Sequence, residues 1–182
     1  MAHIALTQEL PGIRGLLATR PDTGRALMQL AETLLRGPSP LPRGERELIA
    51  AYVSERNGCR YCADSHGAFA AAQLAGGEAL VKAVLADPAG ADITGQLRAL
   101  LRIAAEVAEA VRPVSDDAIA AARAAGAGDT EIHDTVLIAS AFCMFNRYVD
   151  GLDTPLPADP AMYQESADRI VRHGYMAARP RS

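Results

Sequence analysis

From Leu97 to Val111 the apolar residues fall on one stripe: Leu97, Leu100, Leu101, Ala104, Ala105, Val107, Ala108 and Val111, with Pro113 closing it. Spacing of this kind belongs to a helix with one face to bury, and it is incompatible with the two-residue alternation of a half-buried strand. Helical period recurs between nearly every pair of chain breakers. Residues 25–35 carry Leu27, Leu30, Ala31, Leu34 and Leu35 on one side, after Pro21 and with Asp22 placed as a cap. The run 37–42, with three prolines, must end that helix. A second helix is expected from about Pro42, through Glu45, Leu48, Ile49, Tyr52 and Val53, to Arg56, where Asn57-Gly58 reads as a stop. A third starts at or just before Cys59 and runs past Phe69, Ala70 and Leu74 to Gly76-Gly77. Shorter helices are expected over 78–86 and from Ser115 to the Gly126/Gly128 turn. A long apolar helix covers 130–149, a proline-bearing loop 150–160, and a last amphipathic helix 161–172 precedes a polar tail.

No segment alternates as a strand should, and no linker separates two independent cores. The chain of 182 residues is long enough for one domain with a sizeable core. Apolar residues make up 49%, with no Trp, and an aromatic-poor, alanine-rich chain packs helices closely and builds few sheets. The expectation is an all-α, multihelical single domain over 1–182. Its core spans about 22–152, and a C-terminal helix and tail occupy 159–182.

Charge narrows the partners. The net charge is −4, with no basic stripe for nucleic acid and no polybasic segment for an anionic membrane. The first ten residues lack the pattern of a secretory signal, and the most apolar stretch, 136–145, is far short of a bilayer span. Three cysteines are too few for a disulfide scaffold, which fits a reducing cytoplasm. In that compartment a close cysteine pair is catalytic or metal-binding more often than structural.

Such a pair stands at Cys59 and Cys62, with His66 four residues on and Glu47 twelve residues before. Residues three and four apart share a helix face, so the two thiols and the imidazole project together. At a helix start the free N–H groups and the dipole favour a thiolate, and His66 can take a proton from Cys62 or stabilise its charge. The reversal at Asn57-Gly58 turns the helix carrying Glu47 back beside the helix carrying His66. Axial offsets predict an imperfect match, bridged by tilt or by water. Three readings fit this spacing. One is thiol redox chemistry. Another is a zinc site formed by Glu47, Cys59, Cys62 and His66, an unusual ligand set with no second Cys-x-x-Cys to support it. The third is inert packing.

Glu47, Cys59, Cys62 and His66, in the arrangement Glu-x11-Cys-x2-Cys-x3-His, resemble the signature of the AhpD-like alkylhydroperoxidases in the carboxymuconolactone decarboxylase superfamily. The segments 57–67 and 145–152 are especially similar to its peroxidase-related branch, and the likeness extends from about Leu41 to Leu152. The resemblance implies an AhpD-like all-α fold, a homo-oligomer, and no cofactor or metal. It implies that Cys62 attacks a hydroperoxide and becomes a sulfenic acid, that Cys59 resolves it as a disulfide, and that His66 and Glu47 relay protons. A dithiol, lipoyl-type or on a thioredoxin-like protein, would be the reductant. The well-characterised members carry a second His immediately before the second Cys, where this chain has Tyr61. A phenol cannot serve as a base at neutral pH. That departure motivates an alternative, a thiol–disulfide sensor or exchange protein on the same scaffold. Decarboxylation is disfavoured, because members with that activity generally lack the Cys pair.

The remaining candidates read more plainly. Cys143 is expected to be a buried small hydrophobe, His133 a surface or interface residue, and His3 and His173 chemically idle. Tyr52 belongs to core or interface. Asn146 and Arg147 read as solvated or capping residues, with a contact to the redox site or to a neighbouring subunit as the functional option. Asp64 and Ser65 are expected in solvent. Glu131 and Cys143 repeat the spacing of Glu47 and Cys59, a weak hint of internal duplication.

Overall fold

A computed structural model describes residues 2–110 and 112–177, and among them every regular element is a helix. In chain order these are α1 Ile13–Thr19, α2 Pro21–Arg36, α3 Arg43–Arg56, α4 Arg60–Ala71, α5 Gly77–Ala86, α6 Gly95–Glu109, α7 Asp116–Ala124, α8 Asp129–Gly151 and α9 Ala161–His173. Two helix starts, those of α6 and α7, carry side-chain caps. Thr94 Oγ1 accepts from the Leu97 N–H at 3.1 Å and Ser115 Oγ from the Ala118 N–H at 3.2 Å. Each bond of this kind contributes about 1 kcal/mol by meeting an orphan donor of the first turn.

α3 is the central helix, and Leu48, Ile49 and Val53 on it are fully buried. Against it pack α6, through Leu100, Leu101 and Ile103, and α8, through Ile138 and Phe142. Burying one such side chain stabilises the fold by about 1.5–3 kcal/mol. α4 folds back along α3, and α9 lies on α4. A helix buried on every side carries its polar residues at a cost unless they are paired. Arg46 answers this by donating from Nη1 to Leu34 O at 2.9 Å and Gly37 O at 3.0 Å, carbonyls left open where α2 ends.

Several expectations need correction. α1 was not foreseen, because it is seven residues long, holds Gly15, and is flanked by Pro11 and Pro21. Asp22 does not cap α2. Pro21 takes the first helical position, and Asp22 pairs with Arg20 at 2.7 Å. α4 ends at Ala71 and yields to turns before Gly77. α8 runs to Gly151, so Asp150 is helical. The supposed duplication has no structural counterpart: Glu47 and Cys59 straddle a turn, whereas Glu131 and Cys143 lie within one unbroken helix, where Glu131 accepts from the Gly128 N–H at 3.1 Å. Val111, the last residue of the stripe, lies outside the described residues, as do 178–182 of the tail. Among the described residues no helix is long and apolar enough to cross a membrane.

Candidate active site

The turn between α3 and α4 is built by Gly58. Its φ of 73° lies in the left-handed region, which an L side chain enters only with strain. Gly58 N–H bonds Glu55 O at 3.0 Å and Cys59 N–H bonds Ser54 O at 3.0 Å, the paired bonds of a Schellman C-cap. The same turn makes Cys59 the residue that opens α4. Cys59 is therefore fixed from both sides: its N–H ends one helix, and its carbonyl accepts the Ala63 N–H at 2.9 Å to start the next.

Behind this turn lies a polar network that sequence reasoning left half-read. Asn146 on α8 is 1% exposed, not solvated as expected. Its Nδ2 donates to Ser54 Oγ at 3.0 Å and its Oδ1 accepts from Asn57 Nδ2 at 2.8 Å. It thus pins the cysteine-bearing turn to α8, which is the functional option raised for it. The signal was present: Phe142, Phe145 and Val149 mark the buried face of α8, and Asn146 sits among them. Arg147, one residue on, is exposed. Cys143 is half-buried and lies 3.6 Å from Asn57 Nδ2.

Glu47 and His66 meet directly. Glu47 lies nine residues before the end of α3 and His66 six after the start of α4, an axial offset of about 4.5 Å that a glutamate side chain spans. His66 Nδ1 is 2.7 Å from Glu47 Oε2, a direct contact with no need of the bridging water. The second carboxylate oxygen, Oε1, accepts from Tyr175 Oη at 2.7 Å. Glu47 is 1% exposed, and these two bonds hold its carboxylate in the interior.

Tyr175 is the functional residue that the sequence concealed, since it lies in what reads as a polar tail. Gly174, at φ 82°, turns the chain out of α9, and a Cβ there would stand 2.6 Å from Glu32 Oε2. The Tyr175 N–H then bonds that same oxygen at 2.6 Å, and the ring stacks on His66 at 6.3 Å with 19° between planes. Burial first, and the neighbouring Glu47 charge second, push its phenol well above the ordinary tyrosine range, so it remains a donor. Its only advance signal was a lone aromatic directly after a glycine.

Glu47 engages Nδ1, which leaves Nε2 as the ring nitrogen without a partner among the described residues. Phe142 packs edge-on to the ring at 4.5 Å and Phe69 at 5.1 Å. His66 and Cys62, one turn apart on α4, line the same cleft of about 100 Å³. Cys59 is wholly buried and does not line it, whereas Cys62 is 4% exposed and does. Both are free thiols. The Cys59 thiol is pushed above the ordinary range, first by the neighbouring Cys62 and next by burial. The pair is therefore asymmetric, with an inner sulfur sealed in the interior and an outer sulfur that faces the cleft.

Tyr61 also lines the cleft, and burial, then the Cys62 charge, push its phenol upward. It is a wall and not a base. Ser65, expected in solvent, is buried and lines the cleft as well, whereas Asp64 is exposed as expected and pairs with Arg60 at 3.6 Å. Tyr52 is core, with the Arg56 guanidinium 5.6 Å from its ring centre. His133 is exposed beside Asp134, and His3 and His173 are exposed too. Among the described residues no three His, Cys, Asp or Glu side chains are grouped to hold a metal, and both oxygens of Glu47 are engaged by His66 and Tyr175.

Comparisons with known proteins agree with this fold. Residues 21–106 match the carboxymuconolactone decarboxylase family. No protein of curated function matches the sequence. Among solved structures, the chain is similar to an uncharacterised peroxidase-related protein from Ralstonia eutropha, described as an alkylhydroperoxidase AhpD core. That match has a TM-score of 0.76 at 27% identity and covers 87% of this chain and 81% of the other. An uncharacterised peroxidase-related protein from Silicibacter sp. matches with a TM-score of 0.75 at 27% identity, over 85% and 78% of the two chains. A protein of unknown function from Agrobacterium tumefaciens, described in connection with AhpD and antioxidant defence, matches with a TM-score of 0.69 at 25% identity, over 79% and 97%. Over residues 21–106 the chain is thus similar to the carboxymuconolactone decarboxylase family, and its fold is similar to that of AhpD-like, peroxidase-related proteins.

Proposed function

We propose that this protein is a thiol peroxidase that reduces hydroperoxides through a Cys59–Cys62 dithiol–disulfide cycle. One observation carries the reading: Cys62 and His66 share a cleft, while Cys59, three residues before Cys62 at the start of α4, is wholly buried behind it. His66 Nε2 takes the Cys62 proton, and the thiolate attacks the outer oxygen of the hydroperoxide. The O–O bond breaks, the alkoxide leaves with the proton from His66 as an alcohol, and Cys62 becomes a sulfenic acid. The Cys59 sulfur then displaces the sulfenic hydroxyl. That group leaves with the Cys59 proton as water, and a disulfide forms. An external dithiol returns two electrons and two protons. Glu47 holds His66 in the Nδ1–H form throughout, and Tyr175 holds Glu47.

The exchange-protein alternative is less well supported, because a cleft of about 100 Å³ admits a small hydroperoxide more readily than a protein disulfide. The same restriction favours a slender reductant, such as a lipoyl-type arm, over a globular one. A cytoplasmic setting suits a cycle that needs free thiols. Leu137 and Met144, seven residues apart on α8 and both more than two-fifths exposed, would suit a contact between copies in a homo-oligomer, which light scattering would reveal.

The test is thiol counting and mass mapping before and after one equivalent of cumene hydroperoxide. The proposal requires loss of two thiols and a Cys59–Cys62 crosslink in the native protein, a trapped sulfenic acid in Cys59→Ser, and no peroxide loss with Cys62→Ser. If both thiols stay reduced while the peroxide persists, the peroxidase assignment is wrong.

A further inference from the structure

The cleft in front of Cys62 carries two arginines that the cysteine chemistry does not use. Arg14 comes from α1 and Arg169 from α9, and both line the cleft with Cys62 and His66. No Asp or Glu lines it. Among the described residues neither guanidinium has a hydrogen bond or an ion pair, and Arg14 Nε is shut off from solvent with no acceptor at all.

Comparable arginines of this chain each donate to carbonyls or pair with a carboxylate, although Arg46 Nε, like Arg14 Nε, is buried without an acceptor. Arg36 donates to Ile170 O and Val171 O and pairs with Glu32. Arg46 donates to Leu34 O and Gly37 O, and Arg98 to Pro88 O, Ala91 O and Ile93 O. A half-buried guanidinium normally collects carbonyls or a carboxylate, because desolvating its five donors is unfavourable. Two of them left open at one cleft make a site for an external anion. Most of the remaining wall is apolar, with Leu17, Leu27, Met28 and Phe145 among its residues. An oxygen acid with an apolar body fits both halves of the lining, and a planar carboxylate matches the guanidinium fork.

We propose that Arg14 and Arg169 form a carboxylate-binding subsite, and that the preferred oxidant is a small apolar hydroperoxide carrying a carboxylate. This rests on the hydroperoxide reading above and names the substrate class of that same site. The anion is anchored between α1 and α9, its apolar body lies along the cleft wall, and its hydroperoxide group is delivered to Cys62. A carboxylate-bearing dithiol would share this chemistry, so the assays must separate the two substrates.

Two measurements keep the subsite and the peroxidase reading apart. The first needs no peroxide: alkylation of Cys62 by iodoacetate and by iodoacetamide, followed by peptide mapping. A carboxylate subsite raises the iodoacetate-to-iodoacetamide rate ratio above that of a free thiol. Arg14→Gln and Arg169→Gln should each lower the ratio roughly tenfold, the scale of one charge-assisted bond, while Arg169→Lys, which keeps the charge and loses the fork, should lower it by less. The second compares para-carboxycumene hydroperoxide with its methyl ester and with cumene hydroperoxide. The acid should show the lowest KM, its advantage should vanish in Arg14→Gln/Arg169→Gln, and the KM for an uncharged dithiol should not change. A ratio untouched by the double variant in a folded protein, or equal use of acid and ester, overturns the subsite. If the variants move the dithiol KM and not the peroxide KM, the assignment to the oxidant is overturned. If the alkylation ratio responds to the arginines while no hydroperoxide is consumed, the anion site stands and the peroxidase reading falls.

Discussion

Replacing Tyr175 by Phe removes one oxygen and leaves the ring. The ring's contacts with His66 and with Phe69, each at 6.3 Å between centres, should survive. What disappears is the 2.7 Å bond to Glu47 Oε1, and Glu47 is 1% exposed, so water has little access to replace the lost donor. A hydrogen bond to a buried charged group contributes about 1.5–3 kcal/mol. The folded-to-unfolded ratio should therefore drop roughly 10- to 100-fold, which moves a urea midpoint by about 1 M. Turnover should fall as well, because Glu47 then holds His66 Nδ1 with one of its own oxygens unpaired. Urea unfolding followed by circular dichroism gives the first quantity, and initial rates with cumene hydroperoxide give the second. Tyr175→Leu, which also loses the ring contacts, should be worse in both assays. A Tyr175→Phe protein with the native midpoint and the native pH–rate profile would show that the Tyr175–Glu47 bond contributes neither to stability nor to the relay.

Alkaline stability supplies a second check. Tyr61, Tyr163 and Tyr175 all have phenols raised above the ordinary value of 10.0, chiefly by burial. A raised folded value means that the unfolded chain ionises first. Their contribution is complete below about pH 10 and is lost as pH climbs toward the folded values. Phenolate absorbance should appear together with unfolding, and Tyr175→Phe should flatten part of that slope. Gly58→Ala should destabilise by about 1–2 kcal/mol on backbone grounds alone, because nothing lies within 4 Å of the added Cβ, and Gly58→Asn should be milder. Asn146→Ala leaves Asn57 and Ser54 short of partners and should lower stability by about 1–3 kcal/mol, with slower disulfide formation on stopped-flow fluorescence or thiol quenching. Unchanged closure of the Cys59–Cys62 bond in that variant would mean that α8 does not position the turn.

Periodicity made most helices legible, because their burial is one-sided and their ends carry ordinary stops. α6 is the plainest case, with its stripe and its Thr94 cap. Glu47, Cys59, Cys62 and His66 were legible as a set because Cys62 and His66 lie one turn apart on α4, Cys59 opens that helix, and Glu47 stands on its hairpin partner. What stayed hidden depends on long-range packing. α1 is too short and too rich in breakers to carry a period, yet it supplies Arg14 to the cleft. Ser65 lies off the apolar pattern of α4 and is buried only because the cleft forms above it. Tyr175 is 128 residues from Glu47, and no local spacing announces a bond over that separation.

That separation bears on how the enzyme comes into being. The hairpin bearing both sulfurs is local and can form while most of the chain is still unmade. Its glutamate, however, lacks one of its two anchors until nearly the last of the described residues has docked. The thiols are in place long before the machinery that governs their protons. Peroxide reactivity should thus mature late in synthesis, and a handle that pulls the segment after α9 away from α3 should disable a protein whose helix content looks normal.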